Sequence, residues 1–319
     1  MRAVTKSDHC DGRRFFLPGA PALSTLGDLI KWRRTREPAT WPKHVEIAPQ
    51  TLPAVPLGAL AITWINHASF LLRTAQSTLL IDPVYSEKVG PFNLLGPRRV
   101  HAPGIAFDAL PKIDAVLVSH DHYDHCDIST LKRIAQRDQP IAIVPLANAG
   151  LMQRAGFEKI IELDWWEKHI VGADGDVTLT PSQHWSNRLS GARCGRLWGG
   201  FFLRLGQHTL HFVGDTGFNP TLFRDIRERL GAPDVALVPI GAYEPRWFMR
   251  SQHCNPAEAV AIHRQLDAGL SIGMHWGTFQ LTDESREAPV EALNAALAAE
   301  PTGSAVDFIV LEPGQTQLV

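Results

Sequence analysis

Ser119 to Asp127 reads SHDHYDHCD, with three histidines and three aspartates in nine residues. Imidazole nitrogen and carboxylate oxygen are ligands that suit zinc and similar divalent ions. His120 and His122 are separated by one residue, and in extended backbone that spacing turns both side chains to the same side. Asp124 and His125 follow as the chain turns, completing His-x-His-x-Asp-His. One local motif cannot fill two coordination shells, so distant partners are required. Three candidates stand at the ends of predicted strands: His184 in TPSQHW, Asp215 in FVGDTG and His275 in GMHWG. Gly214 and Gly217 flank Asp215 and permit the tight turn that aims a carboxylate inward. Seven such groups give two metals three protein ligands each, with one carboxylate shared. Open positions then remain for water, which marks a catalytic site rather than a structural one.

These residues need strand ends to carry them. ALAITWI, SFLLRT and STLLIDPV are short alternating or β-branched runs and read as consecutive strands. IDAVLVSH is a continuous apolar run ending in polar residues, the pattern of a buried strand that delivers His120. ISTLKRIAQR has helical spacing. PIAIVPL and KIIELD read as strands, with the helix LANAGLMQRAG between them. In the second half DVTLTPSQHW, LWGGFFLRL, HTLHFVGDT, PDVALVPIGAY and LSIGMHWG read as strands, and AVDFIVLEP as the closing one. NPTLFRDIRERLG, NPAEAVAIHRQLDAG and APVEALNAALAAE read as helices; the middle one has Asn255 as N-cap, Pro256 at its first position and Gly269 as its stop. Two sets of mostly antiparallel strands, each followed by helices, predict an α/β protein built as a four-layer αββα sandwich. Residues 1–58 are irregular and rich in Pro and Arg, with one helix expected around Leu26 to Arg34. They read as an arm packing on a single domain of residues 59–319.

Bulk properties narrow the partners. The 319 residues carry 31 basic and 33 acidic side chains, a net charge of −2 that argues against a nucleic-acid track. The four cysteines, Cys10, Cys126, Cys194 and Cys254, form no C-x-x-C pair, which suits a reducing, cytoplasmic compartment. The first residues lack the apolar core of a signal peptide, and no run is long and apolar enough to span a bilayer. KWRRTR, beside Trp32 and the apolar LGDLI, is balanced between a solvated helix face and a peripheral contact with anionic lipid.

The ligand set His120, His122, Asp124, His125, His184, Asp215 and His275 resembles that of the metallo-β-lactamase superfamily, over roughly residues 59–311. TWINHASFLL, LLIDPVYS, GPRRVHAPG, LVSHDHYDHCD, IIELDWWE, PIGAYEPRWFM, SQH and HWGTF further resemble the N-acyl-phosphatidylethanolamine-hydrolysing phospholipase D family. RRFFLPGAP with DLIKW is similar to that family's upstream region. The resemblance implies an αββα sandwich with two Zn2+ per chain, or other divalent ions. His120, His122 and His184 would hold one ion, Asp124, His125 and His275 the other, and Asp215 would bridge them. It also implies Gln252 and His253 beside the substrate, with His253 assisting positioning or proton transfer, and Tyr123 near the head group. A hydroxide shared by the ions would attack phosphorus. Asn66 for glycine, Asp121 for asparagine and Cys254 for valine depart from that family's pattern.

Other residues carry blander expectations. Asp82 is expected to hold a ligand imidazole from behind, and Asp127 to cap the following helix. His67 is poised between packing and lining the site, His263 is expected to be exposed, and Asp121 and Cys126 to be local filling. Cys254 is expected to line the pocket, and the Trp165–Trp166 pair to pack in the core. The expected partners are a phospholipid or other phosphodiester, with a membrane surface met by the arm and a homodimer left open. The competing activity is a sugar-phosphate lactonase on the same scaffold. A nuclease or a metal-binding scaffold without catalysis fits less well.

Overall fold

The computed structural model describes all residues except 1, 3, 49, 174 and 302–305. The chain forms strands β1 (Ala61–Asn66), β2 (Ser69–Arg73), β3 (Thr78–Ile81), β4 (Ala115–Leu117), β5 (Ile141–Pro145) and β6 (Ile160–Leu163). It continues through β7 (Lys168–Val171), β8 (Gly175–Thr180), β9 (Gly200–Leu205) and β10 (His208–Phe212). The last strands are β11 (Val235–Pro239), β12 (Leu270–Met274), β13 (Phe308–Val310) and β14 (Thr316–Leu318). Helix α1 (Leu26–Thr35) lies in the N-terminal arm; α2 (Ile128–Asp138) and α3 (Ala149–Ala155) follow in the first half. The second half contributes α4 (Leu222–Leu230), α5 (Arg246–Met249), α6 (Pro256–Leu266) and α7 (Ala288–Ala298).

Two seven-stranded sheets result, ordered β14-β1-β2-β3-β4-β5-β6 and β13-β12-β11-β10-β9-β8-β7. Side-chain alternation explains why both faces of their strands are apolar. Phe70, Leu72, Leu79, Ile81, Ala115 and Leu117 point between the sheets, where they meet Leu179, Phe201, Leu203, Phe212, Leu237 and Met274. The intervening Leu71, Leu80 and Val116 point outward onto Leu131 and Ile134 of α2 and Met152 of α3. On the far side Ala236 and Val238 pack against Phe223 of α4, Val260 and Ile262 of α6 and Leu293 of α7. This is the α/β four-layer sandwich.

Several expectations require correction. The sheets are mixed rather than mostly antiparallel: β3 to β6 run parallel to one another, as do β10 to β13. The helices α2, α6 and α7 supply crossovers long enough to return the chain in the same direction. AVDFIVLEP does not close the fold. It forms β13, after which β14 crosses to the other sheet and pairs antiparallel with β1. Strand β7 and the single-turn α5 were not foreseen. Helix α6 begins as expected, with Asn255 in a capping box, but its C-cap is Asp267 in the left-handed region at φ +54°. Gly269 instead lies in the bend just before β12, its amide donating to the Pro233 carbonyl at 3.0 Å. His263 is buried, its Nδ1 2.8 Å from Ser271 Oγ on β12, because that face of α6 lies on the sheet.

The arm is tied to this body at several points. Phe15 and Cys10 enter the inter-sheet core, and the Phe15 amide donates to the Cys194 carbonyl. Thr25 and Asp28 cap α1 reciprocally, yet none of the helix's own residues is buried. No helix among the described residues is long and apolar enough to cross a membrane.

Candidate metal centre and substrate cavity

Strand β4 ends at Leu117, and the Ser119 amide and hydroxyl both donate to Asp82, at 2.7 and 2.5 Å. Asp82 also accepts from His125 Nδ1 at 2.8 Å, so one buried carboxylate fixes the start of the SHDHYDHCD loop and a ring within it. Asp127 caps α2, accepting from the amides of Ser129 and Thr130, and so sets where the loop ends. Asp121 is more than filling: it accepts from Arg196 at 2.8 Å and from the Asn187 amide at 2.8 Å, pinning the loop that carries Trp185 and Arg193.

The SHDHYDHCD loop and the segments that carry His67, His184, Asp215 and His275 converge. Donor atoms of His120, His122, His184 and Asp215 lie within 4.8 Å of one another, as do those of His67, Asp124, His125 and His275. Asp215 Oδ2 lies between the sets, 3.9 and 3.7 Å from His120 Nε2 and His184 Nε2, and 3.2 and 3.1 Å from His125 Nε2 and His275 Nε2. Gly214, at φ +70°, permits the turn that aims this carboxylate: a Cβ there would stand 2.8 Å from the Gly199 carbonyl oxygen. Asp82 (φ +41°), His67 (φ +46°) and His275 (φ +63°) also adopt the left-handed region, so three residues at the centre hold a conformation that side chains with a Cβ rarely take.

The polar atoms here are buried in a way that hydrogen bonding does not explain. His120 Nε2, His125 Nε2, His275 Nε2 and Asp215 Oδ1 have no hydrogen-bond partner, although solvent cannot reach them. Unpaired buried polar atoms are costly, and their convergence here matches what divalent cations require. Electrostatics agrees. Burial drives His120 and His184 well below the usual imidazole range, leaving neutral lone-pair donors. Burial would also lower His125 and His275, but the charges of Asp215 and Asp124 outweigh it and raise both, His275 to about 9. Burial would raise Asp124 and Asp215, yet the surrounding imidazoles hold both well below the usual carboxylate range. The array is a compact set of competing charges that divalent ions would satisfy in place of protons.

A cavity of about 400 Å³ opens beside these groups. His122, Asp124, Asp215, Gln252 and His253 form its polar side. Leu26, Leu29 and Trp32 of α1, with Phe248, Met249 and Leu281, form an apolar side. Gln252 also accepts from His184 Nδ1 through its backbone carbonyl, at 2.9 Å. Tyr123 does not line this cavity. Its ring lies 4.1 Å beneath the Arg188 guanidinium and borders a separate depression with Phe92 and Leu189. Cys254 is buried in the core, its thiol 3.2 Å from the Pro239 carbonyl, rather than in the cavity wall. Cys126 and Trp165 are buried, as expected.

Sequence reasoning passed over Arg193, which lines the cavity with its guanidinium 4.4 Å from the Trp185 ring and a buried, unpartnered Nε. Trp185, next to His184, was the available signal; the GARCGR loop has no periodicity to place Arg193.

Residues 77–276 match the family described as Beta-lactamase superfamily domain. The chain is 34% identical over 315 residues to "N-acyl-phosphatidylethanolamine-hydrolyzing phospholipase D 1" of Caenorhabditis elegans, covering 93% of this chain and 88% of that one. It is 35% identical over 236 residues to a mitochondrial protein of the same description from Saccharomyces cerevisiae, covering 72% of this chain and 50% of the yeast protein. Among solved structures, the metallo hydrolase Igni18 of Ignicoccus hospitalis matches with a TM-score of 0.60 at 20% identity, over 82% of this chain and 98% of that one. The chain belongs to the metallo-β-lactamase superfamily and is a metal-dependent hydrolase.

Proposed function

We propose that this hydrolase is a dinuclear zinc phosphodiesterase of phospholipase D type, converting N-acyl-phosphatidylethanolamine-like lipids to N-acylethanolamine and phosphatidic acid. The observation that carries the reading is Asp215 Oδ2 lying 3.1–3.9 Å from ligand nitrogens of both sets. The cavity beside it, mainly apolar with one polar side at the ligand residues, suits a lipid phosphodiester. The C. elegans relative's description supplies the substrate class.

His120, His122 and His184 would hold one ion, Asp124, His125 and His275 the other, and Asp215 both. Divalent ions in such a site supply Lewis acidity and a water acidic enough to attack near neutral pH. The chain's own residues do the rest. His253 is buried at the cavity edge and pushed down to about 3 by burial, so its imidazole stays neutral and serves to orient the substrate by hydrogen bonding rather than to store a proton. Arg193 is placed to meet the phosphate charge, and Gln252 to orient the head group. The water oxygen bonds to phosphorus as the bond between phosphorus and the ethanolamine oxygen breaks; that oxygen leaves as the hydroxyl of N-acylethanolamine, taking up the proton that the water gives up. The apolar side receives acyl chain, which removes apolar surface from water at about 25 cal/mol per Å². Residues 59–319 act as the catalytic unit and residues 1–58 as an arm bordering its cavity. Lys31, Arg33 and Arg34, with exposed Leu26 and Ile30, are the proposed peripheral contact with an anionic bilayer.

The test is to incubate the metal-replete protein in isotopically labelled water with N-acyl-phosphatidylethanolamine, a simple phosphodiester and a lactone in parallel. Label should appear in phosphatidic acid and not in N-acylethanolamine. Lactone turnover without any phosphodiester cleavage would overturn the proposal.

A further inference from the structure

His67 stands outside the six terminal ligands and the bridging aspartate proposed above, yet it touches two of them. It occupies the tight connection between β1 and β2, at φ +46°. A side chain with a Cβ holds that conformation only where its surroundings fix it. Three hydrogen bonds do so here. The His67 amide donates to Thr278 Oγ1 at 3.0 Å, and its carbonyl accepts from the His275 amide and the Trp64 indole, both at 2.9 Å. His101 holds Thr278 in turn, Nε2 to Oγ1 at 3.0 Å. The buried imidazole then sets its Nε2 2.9 Å from Asp124 Oδ2, the oxygen that also lies 3.4 Å from His275 Nε2 and 3.6 Å from His125 Nε2.

We propose that His67 is a positioning residue for one of the two ions: its Nε2–H donates to Asp124 Oδ2, and its carbonyl fixes the backbone of His275. The inference rests on the proposed dinuclear centre and not on the substrate. Hydrogen-bond accounting separates this role from direct ligation. As a ligand through Nε2, the neutral ring would carry its proton on Nδ1, which is buried and has no partner among the described residues. A buried N–H without an acceptor is expensive. Among the proposed ligands His125 and His184 have acceptors for the far nitrogen, in Asp82 and the Gln252 carbonyl, whereas His275 Nδ1 has none among the described residues. What sets His67 apart is Nε2, which is already paired with Asp124 Oδ2, while Nε2 of His120, His125 and His275 has no hydrogen-bond partner. With its proton on Nε2, His67 leaves unpaired only a lone pair.

The experiment titrates metal-free wild type, His67→Phe and His67→Gln with Zn2+, reading the two binding events by calorimetry. Phenylalanine keeps the ring that packs 5.4 Å from Phe279 but has no N–H to donate; the glutamine amide restores a donor. The His67→Phe change should weaken one event about 10- to 100-fold and leave the other within about twofold, with His67→Gln recovering most of the loss. The two losses should also be non-additive in a cycle with Asp124→Asn, since His67 acts through that carboxylate. Unchanged affinity, equal weakening of both events, or additivity in the cycle would overturn the proposal. Wild type that binds fewer than two ions would instead defeat the dinuclear centre, so the two failures are distinct.

Discussion

One cavity has two unlike borders. On the metal side, His120, His125, His184, Asp215 and His275 are buried at strand ends, cross-braced through Asp82, Gln252 and His67, and partly strained in φ. On the arm side, α1 has no buried residue, and Leu26 is 71% exposed although it lines the cavity. The first border is dense with groups whose displacement by a fraction of an ångström would alter charge balance. The second is a helix held by caps, an indole and a few ring contacts. Chemistry has been placed on the rigid part and apolar contact on the replaceable part, so damage on the two sides should look different.

The largest contrast comes from Asp215→Asn. Removing the charge that lies within 3.9 Å of four ligand imidazoles should lower turnover by at least about 1,000-fold and loosen both ions, as read by assay and metal content together. Full activity without bound metal would defeat the dinuclear reading. Asp82→Asn removes a partner one layer behind. It should cost about 10- to 100-fold in metal affinity, measured by chelator competition, because His125 loses a charged acceptor at 2.8 Å. Equal losses from the two substitutions would erase the distinction between bridging and supporting carboxylates.

Protons should compete with metal on one side only. Burial lowers His275, but Asp215 and Asp124 more than reverse this and push it up to about 9. In the metal-free protein its ring is therefore protonated at neutral pH, and an ion must displace that proton. Apparent affinity should rise about tenfold per pH unit for each proton released, and level off above about pH 9. Binding isotherms from pH 6 to pH 9 measure the slope in roughly this range. A flat profile would mean that His275 is already neutral before metal arrives.

Legibility followed the same border. The local motif His-x-His-x-Asp-His and three strand-end partners could be read because ligand chemistry demands particular residue types at positions that strands deliver. The caps at Asn255 and Asp127 were readable from adjacent residues alone. His67 was ambiguous, since its role depends on a turn that brings Thr278, His275 and Asp124 together from distant segments. Tyr123 lies within the motif but turns to Arg188, a choice made by tertiary packing. The parallel half of each sheet and the return of β14 to β1 were likewise hidden. TQL has no alternation that distinguishes it from a loop, and its pairing is decided by a partner some 250 residues away, Thr316 against Thr63.

The smallest effect belongs to the arm, and Trp32→Ala isolates it. The indole N–H donates to Asp283 at 2.8 Å, and the ring stacks on Phe248 at 5.0 Å while forming part of the apolar cavity wall. Truncation removes contact for an acyl chain and leaves every metal contact intact. The expected result is a rise of about 3- to 10-fold in KM for a long-chain lipid phosphodiester, equivalent to about 1 kcal/mol of apolar contact. The kcat should hold, because contact made equally with substrate and transition state affects binding alone. A short-chain phosphodiester should be turned over as by wild type, with metal content unchanged. The thermal unfolding midpoint should fall only slightly, since α1 has no buried residue of its own. Should kcat on the short substrate fall as well, or an ion be lost, the arm would be part of the catalytic scaffold, and the two borders would have to be treated as one.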